Sequence, residues 1–132
     1  MGNLLKTIIS GIGNVILNPG KSKRMMEATV MWQKAKEEAE ELRKRDGHRY
    51  FVIYDAVQKK LICITYDIYR NRADSYQYLR QRGRFKQPLR REDLKELCFY
   101  YTTSKWTSHN CSEQEQQEKL VEWQRYWLKI NA

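Results

Sequence analysis

The residues with the clearest capacity for chemistry in this sequence are cations that crowd positions 80–91, where a helix is predicted to end. A planar guanidinium donates two parallel hydrogen bonds to a phosphate or a carboxylate, so arginine is well suited to bind either anion. The sequence therefore predicts a site for an anion or an acidic partner. We call it the Arg-rich corner, and its members are Arg80, Arg82, Arg84, Lys86, Arg90 and Arg91.

Three interpretations of the Arg-rich corner stay open. One is structural, because solvated cations near the C-terminus of a helix complement the helix dipole. The other two are functional: an acidic face of a partner protein, or the phosphates of a nucleic acid. The sequence has no RNP motif, zinc-finger spacing or clear helix-turn-helix that would support nucleic-acid recognition.

No motif in the sequence indicates catalysis, since P-loop, GxSxG and HExxH patterns are absent. His109, Cys111 and Cys98 are the only conceivable metal set, and they lack the four ligands in spaced pairs that structural zinc requires. Cys63 lies among apolar residues of a predicted strand and is expected to be a small core side chain. We therefore expect a protein that is not an enzyme and uses no metal, cofactor or small-molecule substrate.

Residues 1–20 are predicted to form an N-terminal amphipathic anchor helix, stopped by Asn18-Pro19-Gly20. It is too short to span a bilayer, which takes about 20 residues, and it lacks the pattern of a signal peptide. Its apolar side could lie on the protein's own core, on a partner protein, or on a membrane surface through residues 4–17. The candidate partner-binding residues on that side are Leu4, Leu5, Ile8, Ile9, Ile12 and Ile16.

A β-hairpin is the element around which the other elements must be arranged. Residues 50–54 and 61–66 are dense in Val, Ile, Tyr and Phe, which favour strands, and a short polar link joins them. Residues 98–103 have the same character and predict a third strand. Because an isolated hairpin is only marginally stable in water, helices must cover this sheet.

Two long helices are predicted to pack on that sheet and on each other. The first ends at Gly47, which is expected to form a left-handed C-cap, and the last begins at a capping box of Ser112 and Glu115. Apolar residues in both recur every three or four positions, a period that indicates helix-on-helix packing. These residues are Met25, Ala28, Trp32, Ala35, Ala39 and Leu42 in the first helix, and Leu120, Trp123, Trp127 and Ile130 in the last. We expect Trp32 to lie near one of the two tryptophans of the last helix.

Two shorter helices are predicted between the hairpin and the third strand. One covers residues 68–82, with Asp67 as its N-cap and Gly83 at its end, and the other covers residues 89–97. The buried side of the longer one is expected to contain Ile68, Tyr69, Arg72, Tyr76 and Leu79.

Length and composition agree with one small domain. The chain has 132 residues, of which 41% are hydrophobic, and a formal net charge of +9, which favours an anionic partner. We predict an α+β fold over residues 21–132, with a small antiparallel sheet (the hairpin plus a third strand) packed by two long amphipathic helices. Three cysteines without a CxxC pair indicate reduced thiols and a cytosolic setting.

The central half of the chain resembles small uncharacterised proteins encoded by tailed phages of gut bacteria. The resemblance lies in the pattern RGRF followed by RREDLKELCFYYT, after a hairpin of the type RYFVIYD and LICITY. It implies a phage context, in which small basic proteins are commonly virion parts or host-takeover factors. It assigns no functional residues.

We therefore expect a non-enzymatic interaction protein, a phage virion structural or accessory component that binds an acidic or apolar protein surface within a larger assembly. One alternative is a nucleic-acid-binding module, without sequence preference, that uses the Arg-rich corner. Another is a membrane-surface protein anchored by residues 4–17. We expect a location in the cytoplasm of a bacterial host or within a virion, and not secretion, because the sequence lacks a signal-peptide pattern.

Overall fold

The computed structural model describes residues 19–72, 76, 79, 83, 89–107 and 111–132. The elements in these ranges are α1 (Pro19–Asp46), β1 (Phe51–Asp55), β2 (Lys60–Ile64), α2 (Tyr66–Asn71), α3 (Arg91–Leu97), β3 (Tyr100–Tyr101) and α4 (Glu113–Ile130). This is the predicted α+β fold, with a three-stranded antiparallel sheet packed against two long helices. Residues 1–18 of the predicted N-terminal helix lie outside the described residues, and Pro19 and Gly20, where the prediction ended that helix, are the first residues of α1. Within those ranges, no helix is both long and apolar enough to cross a bilayer.

The sheet is built on β1, which pairs with β2 on one side and with β3 on the other, always antiparallel. The predicted third strand over residues 98–103 is shorter than expected, because β3 contains only two residues. Backbone hydrogen bonds from the N–H groups of Phe99 and Thr102 to β1 and the residue before it extend the ladder slightly. The regular pattern then stops because the Thr102 hydroxyl accepts the N–H of Tyr50 at 3.0 Å.

One face of the sheet packs against α1. The register places Val52, Cys63 and Tyr100 side by side, and alternation along a strand directs neighbouring residues to opposite faces. The small side chains of Ala35 and Ala39 on α1 are buried and allow a close approach. As a result, the Cys63 thiol donates to the carbonyl oxygen of Ala35 at 3.4 Å.

The helices α1 and α4 pack against each other through their tryptophans. Trp123 is fully buried, and its indole N–H donates at 2.8 Å to the carbonyl oxygen of Ala28, one turn before Trp32. Trp32 donates in the same way to the Phe99 carbonyl oxygen at 2.7 Å. Both rings belong to a single hydrophobic core cluster. The predicted packing of Trp32 near the last helix is confirmed.

The predicted helix over residues 68–82 is wrong in its extent. The helix in this region, α2, ends at Asn71, and the next residue, Arg72, leaves the helical region with φ at −132°. Asparagine is a poor helix former because its side chain competes for backbone hydrogen bonds. The N-cap is Thr65 rather than Asp67, since Thr65 is the extended residue that leaves β2 and its hydroxyl accepts a helical N–H group.

The early end of α2 also changes which side chains are buried. Tyr69, Tyr76 and Leu79 are buried as predicted, whereas Ile68 and Arg72 are exposed. A single helical period does not run through the segment, so a face drawn for one continuous helix is correct only in part. The short helix over residues 89–97 is confirmed as α3, and the left-handed C-cap at residue 47 is confirmed by its φ of 77°.

Candidate functional site

An open cleft of about 600 Å³ lies against the sheet face that carries Phe51, opposite α1. Its walls come from segments that are distant in the sequence: residues 48–49, the start of α2, the helix α3, and residues 104–107. The side chains that give the cleft its chemistry are His48, Arg49, Tyr66, Arg91, Lys95 and Trp106. We call it the basic–aromatic cleft.

Arg91, the first residue of α3, contributes one positive charge to the cleft. Its guanidinium carbon lies 5.0 Å from the centroid of the Tyr66 ring, within the range of a cation–π contact. Tyr66 is the first residue of α2, and its hydroxyl donates to the carbonyl oxygen of Leu89 at 3.4 Å. The tyrosine thus holds the guanidinium in place through its ring, a contact that does not neutralise the charge.

Lys95 follows Arg91 by one turn on α3 and shares an aromatic neighbour with Arg49. The Lys95 ammonium nitrogen lies 5.5 Å, and the Arg49 guanidinium carbon 5.4 Å, from the centroid of the buried Tyr101 ring. Arg49 also donates from Nε to the Thr102 carbonyl oxygen at 2.8 Å. Burial lowers the pKa of Arg49 from its ordinary value, but an arginine stays charged in proteins. Tyr101 therefore brings together cations from two separate segments.

Lys119 is a third cation near the same ring, and its role is structural. It is buried, and its ammonium group donates to the carbonyl oxygens of residues 95, 96 and 98 at 3.0, 3.0 and 2.8 Å. The last carbonyl groups of a helix have no N–H donor within the helix, so their hydrogen bonds come from groups outside it. Lys119 therefore fixes the end of the helix that carries Arg91 and Lys95.

Trp106 stands at the rim of the cleft and is 68% exposed. Residues 104 and 107 are joined by backbone hydrogen bonds in both directions, and the Trp106 N–H donates to the Ser104 hydroxyl at 3.2 Å. The Lys105 N–H donates to the carbonyl oxygen of Gly47 at 2.9 Å, which ties this turn to the end of α1. The His48 ring lies 5.5 Å from the indole, and the Lys105 ammonium 4.5 Å. An exposed indole is thus held on an anchored turn beside positive charge.

Only two residues of the predicted Arg-rich corner are described, and the structure separates them. Arg91 lines the cleft, whereas Arg90 is exposed and forms a salt bridge of 3.5 Å with Asp93. The other predicted site residues lie outside the described residues. They are Arg80, Arg82, Arg84 and Lys86 of the corner, and Leu4, Leu5, Ile8, Ile9, Ile12 and Ile16 of the N-terminal helix.

Sequence reasoning missed five of the six side chains that give the cleft its chemistry, and one of them, Tyr66, was predicted only as the last residue of a strand. Trp106 could have been identified from the sequence, because it lies in a polar loop next to Lys105 and belongs to no periodic apolar pattern. Arg49, Lys95 and His48 gave no signal of a binding site in the sequence, because single charged residues at strand and helix ends are ordinary surface features.

The described His, Cys, Asp and Glu side chains do not form a metal-binding or reactive-thiol site. No group of three or more His, Cys, Asp or Glu among the described residues could hold a metal ion. Burial raises the pKa of Cys63 to about 12 and that of Cys111 to about 11. Because the thiolate is the reactive form of cysteine, both thiols are unreactive at neutral pH in this fold.

No family model, curated protein or solved structure matches this chain. What the protein does must therefore be inferred from the chemistry of the cleft.

Proposed function

We propose that this protein is a non-enzymatic interaction protein whose basic–aromatic cleft binds a negatively charged partner. The observation that carries the proposal is the pair Arg91 and Lys95, which lie one turn apart on α3 and line the same cleft. Within the described ranges, neither forms a salt bridge. Like charges at this spacing repel each other, so an anionic group bound beside them relieves the repulsion.

The balance of charge in the cleft supports an anionic partner as well. Asp67 and Glu92 also line the cleft, and Arg49, Arg91 and Lys95 outnumber them. The whole chain carries a net charge of +9, which attracts anions over longer distances and raises the rate of encounter. Local and overall charge therefore act in the same direction.

The resemblance to small phage proteins supports a phage setting, as a virion structural or accessory component. Both partner classes that the Arg-rich corner leaves open, an acidic protein surface and a nucleic acid, present anions of the kind that the cleft suits. The membrane-surface alternative depends on residues 4–17, which the structure does not describe.

Heparin, a polyanion of neither partner class, tests the proposal. The double variant Arg91→Glu/Lys95→Glu should elute from immobilised heparin at lower salt than Lys59→Glu/Lys60→Glu. The two control lysines are exposed at the tip of the β1–β2 hairpin, at the opposite end of β1 from the cleft. Both double variants change the net charge equally, so a difference between them reports the cleft itself.

The outcome that contradicts the proposal is co-elution of the two double variants, which would show that heparin responds to overall charge only. Far-ultraviolet circular dichroism and the melting temperature of each variant confirm that the fold is retained. A variant that unfolds is replaced by the milder Arg91→Gln/Lys95→Gln pair, with Lys59→Gln/Lys60→Gln as its matched control.

A further inference from the structure

We infer that the partner is single-stranded nucleic acid, with one base stacked on Trp106 and neighbouring phosphates held by Arg91 and Lys95. The inference rests on the proposed function, because it names the chemical class of the anion that the same cleft binds. Two separate observations lead to it: an aromatic platform at the rim of the cleft, and paired cations inside it.

The aromatic platform is Trp106. Trp106 is 68% exposed even with the His48 ring and the Lys105 ammonium beside its indole, and the backbone of its turn is held by hydrogen bonds to neighbouring residues and to Gly47. A large apolar ring kept in water on an anchored turn offers its face to a ligand at little cost in conformational entropy. Every nucleobase has a π face, so stacking on such a ring is a general way to bind unpaired bases.

The second observation is the pair of cations inside the cleft. Arg91 and Trp106 line the same cleft, and the guanidinium over Tyr66 carries a charge fixed in place. Lys95 adds a second charge one turn further along α3. A groove that combines backbone-neutralising cations with stacking rings is the arrangement that proteins use for single strands.

A peptide whose side chains are all carboxylates would use only half of this arrangement. Its carboxylates would pair with Arg91 and Lys95, but they would gain nothing from the exposed face of Trp106. A nucleic acid strand uses both the charges and the ring. The exposed indole therefore favours nucleic acid over an acidic protein segment.

A duplex fits the cleft less well than a single strand. Reading duplex DNA takes a helix or a two-stranded ribbon that enters a groove. The helix at the cleft, α3, has seven residues, buries Leu94 in the core, and has its last carbonyl groups covered by Lys119. Stacking on Trp106 also requires a base whose face is free, and in a duplex the bases are stacked on each other.

The first test measures stacking with a fluorescein-labelled oligothymidylate titrated by the full chain and followed by fluorescence anisotropy. Trp106→Ala should weaken binding by about 5- to 150-fold, the range measured for loss of one base–aromatic stack, while Trp106→Phe keeps most of the affinity. An abasic strand of the same length carries the phosphates without the bases. Trp106→Ala should leave its affinity unchanged.

The second test measures phosphate contacts through the dependence of affinity on salt. For single strands, the slope of log K against log salt changes by about 0.7 for each phosphate neutralised. Arg91→Gln/Lys95→Gln should therefore flatten the slope by about 1.4, whereas the tip control Lys59→Gln/Lys60→Gln should not alter it. Trp106→Ala should lower the affinity at every salt concentration without changing the slope.

Three other outcomes are distinguishable, and each overturns a stated part. Binding of oligoglutamate that needs Arg91 and Lys95 but not Trp106, with no preference for oligothymidylate, overturns the nucleic-acid inference and leaves the anionic partner standing. Equal binding of a duplex and a single strand overturns the stacking arrangement. Failure of every anion to bind, or equal losses in the tip control, overturns both the inference and the proposed function.

Discussion

The tryptophans of the α1–α4 interface and the tryptophan of the cleft show how one residue type takes two roles. Trp32 and Trp123 are buried, and the indole N–H of each donates to a backbone carbonyl oxygen. Trp106 is mostly exposed, its turn is held by backbone hydrogen bonds, and its ring contacts His48 and Lys105. A buried, hydrogen-bonded indole stabilises the fold, whereas an exposed indole beside cations is available to a ligand.

The cations of the two regions differ in the same way. The ammonium group of Lys119 donates hydrogen bonds to three carbonyl oxygens. The ammonium group of Lys36 donates to the Gln116 side chain at 2.6 Å. Among the described residues, the charged groups of Arg91 and Lys95 lie against the faces of the Tyr66 and Tyr101 rings. Hydrogen bonds to fixed acceptors use a cation for structure, while contact with a ring leaves its charge to act on a ligand.

The largest effect that separates the two regions should come from alanine substitutions of their tryptophans. Trp32→Ala is expected to cost about 3–5 kcal/mol, because it opens a cavity in the core and removes the indole N–H that donates to the Phe99 carbonyl oxygen. Trp106→Ala should change stability by about 0.5 kcal/mol or less, because its ring is exposed. Urea unfolding of both variants measures the difference. A loss at Trp106 as large as that at Trp32 would mean that the cleft rim is part of the core.

A smaller loss of stability is expected from Lys119→Met, which keeps the length and apolar stem of the side chain but removes the ammonium group. The carbonyl oxygens at the end of α3 would lose a buried donor, at a cost of about 1–3 kcal/mol. Since the same helix carries Arg91 and Lys95, the variant should also elute earlier from heparin than its change in charge explains. The matched control is Lys129→Met on the exposed end of α4, which removes the same charge. Equal elution of the two would show that Lys119 does not position the cleft cations.

The smallest effect concerns pH and the core side of the sheet. Burial raises the pKa of Cys63 from 9.0 to about 12, so the folded state disfavours the thiolate. Because this folded pKa lies above the unfolded one, the stability from Cys63 is fully present below pH 9 and is lost as the pH rises towards 12.

At about pH 10 the loss attributable to Cys63 should be about 1 kcal/mol relative to neutral pH. The test measures the urea midpoints of the reduced protein and of Cys63→Ala at about pH 7.5 and about pH 10. Between these pH values, the midpoint should fall less in the variant. Tyr50, whose pKa is raised to about 12 by burial and by its hydrogen bond to Asp46, adds alkaline sensitivity to both proteins alike. An identical pH dependence in the two proteins would show that Cys63 ionises freely in the fold.

Elements with local signals in the sequence could be predicted correctly. The hairpin follows from β-favouring residues on both sides of a polar link, and the α1–α4 interface follows from a repeat of three and four that any helix converts into one apolar face. Gly47 marked the end of α1 because a left-handed C-cap suits a residue without a Cβ atom. The prediction failed at α2, where an apolar period continued in the sequence after the backbone had left the helix at Arg72.

The roles of the charged and aromatic residues depend on the tertiary structure. Arg49, Arg91 and Trp106 come from three segments, and no spacing in the sequence predicts that they line one cleft. Neighbours in the sequence separate instead, as when Arg90 pairs with Asp93 while the next residue lines the cleft. The physical reason is that periodicity records the burial of side chains within one element, whereas a binding site depends on how several elements are brought together by the packing of the core.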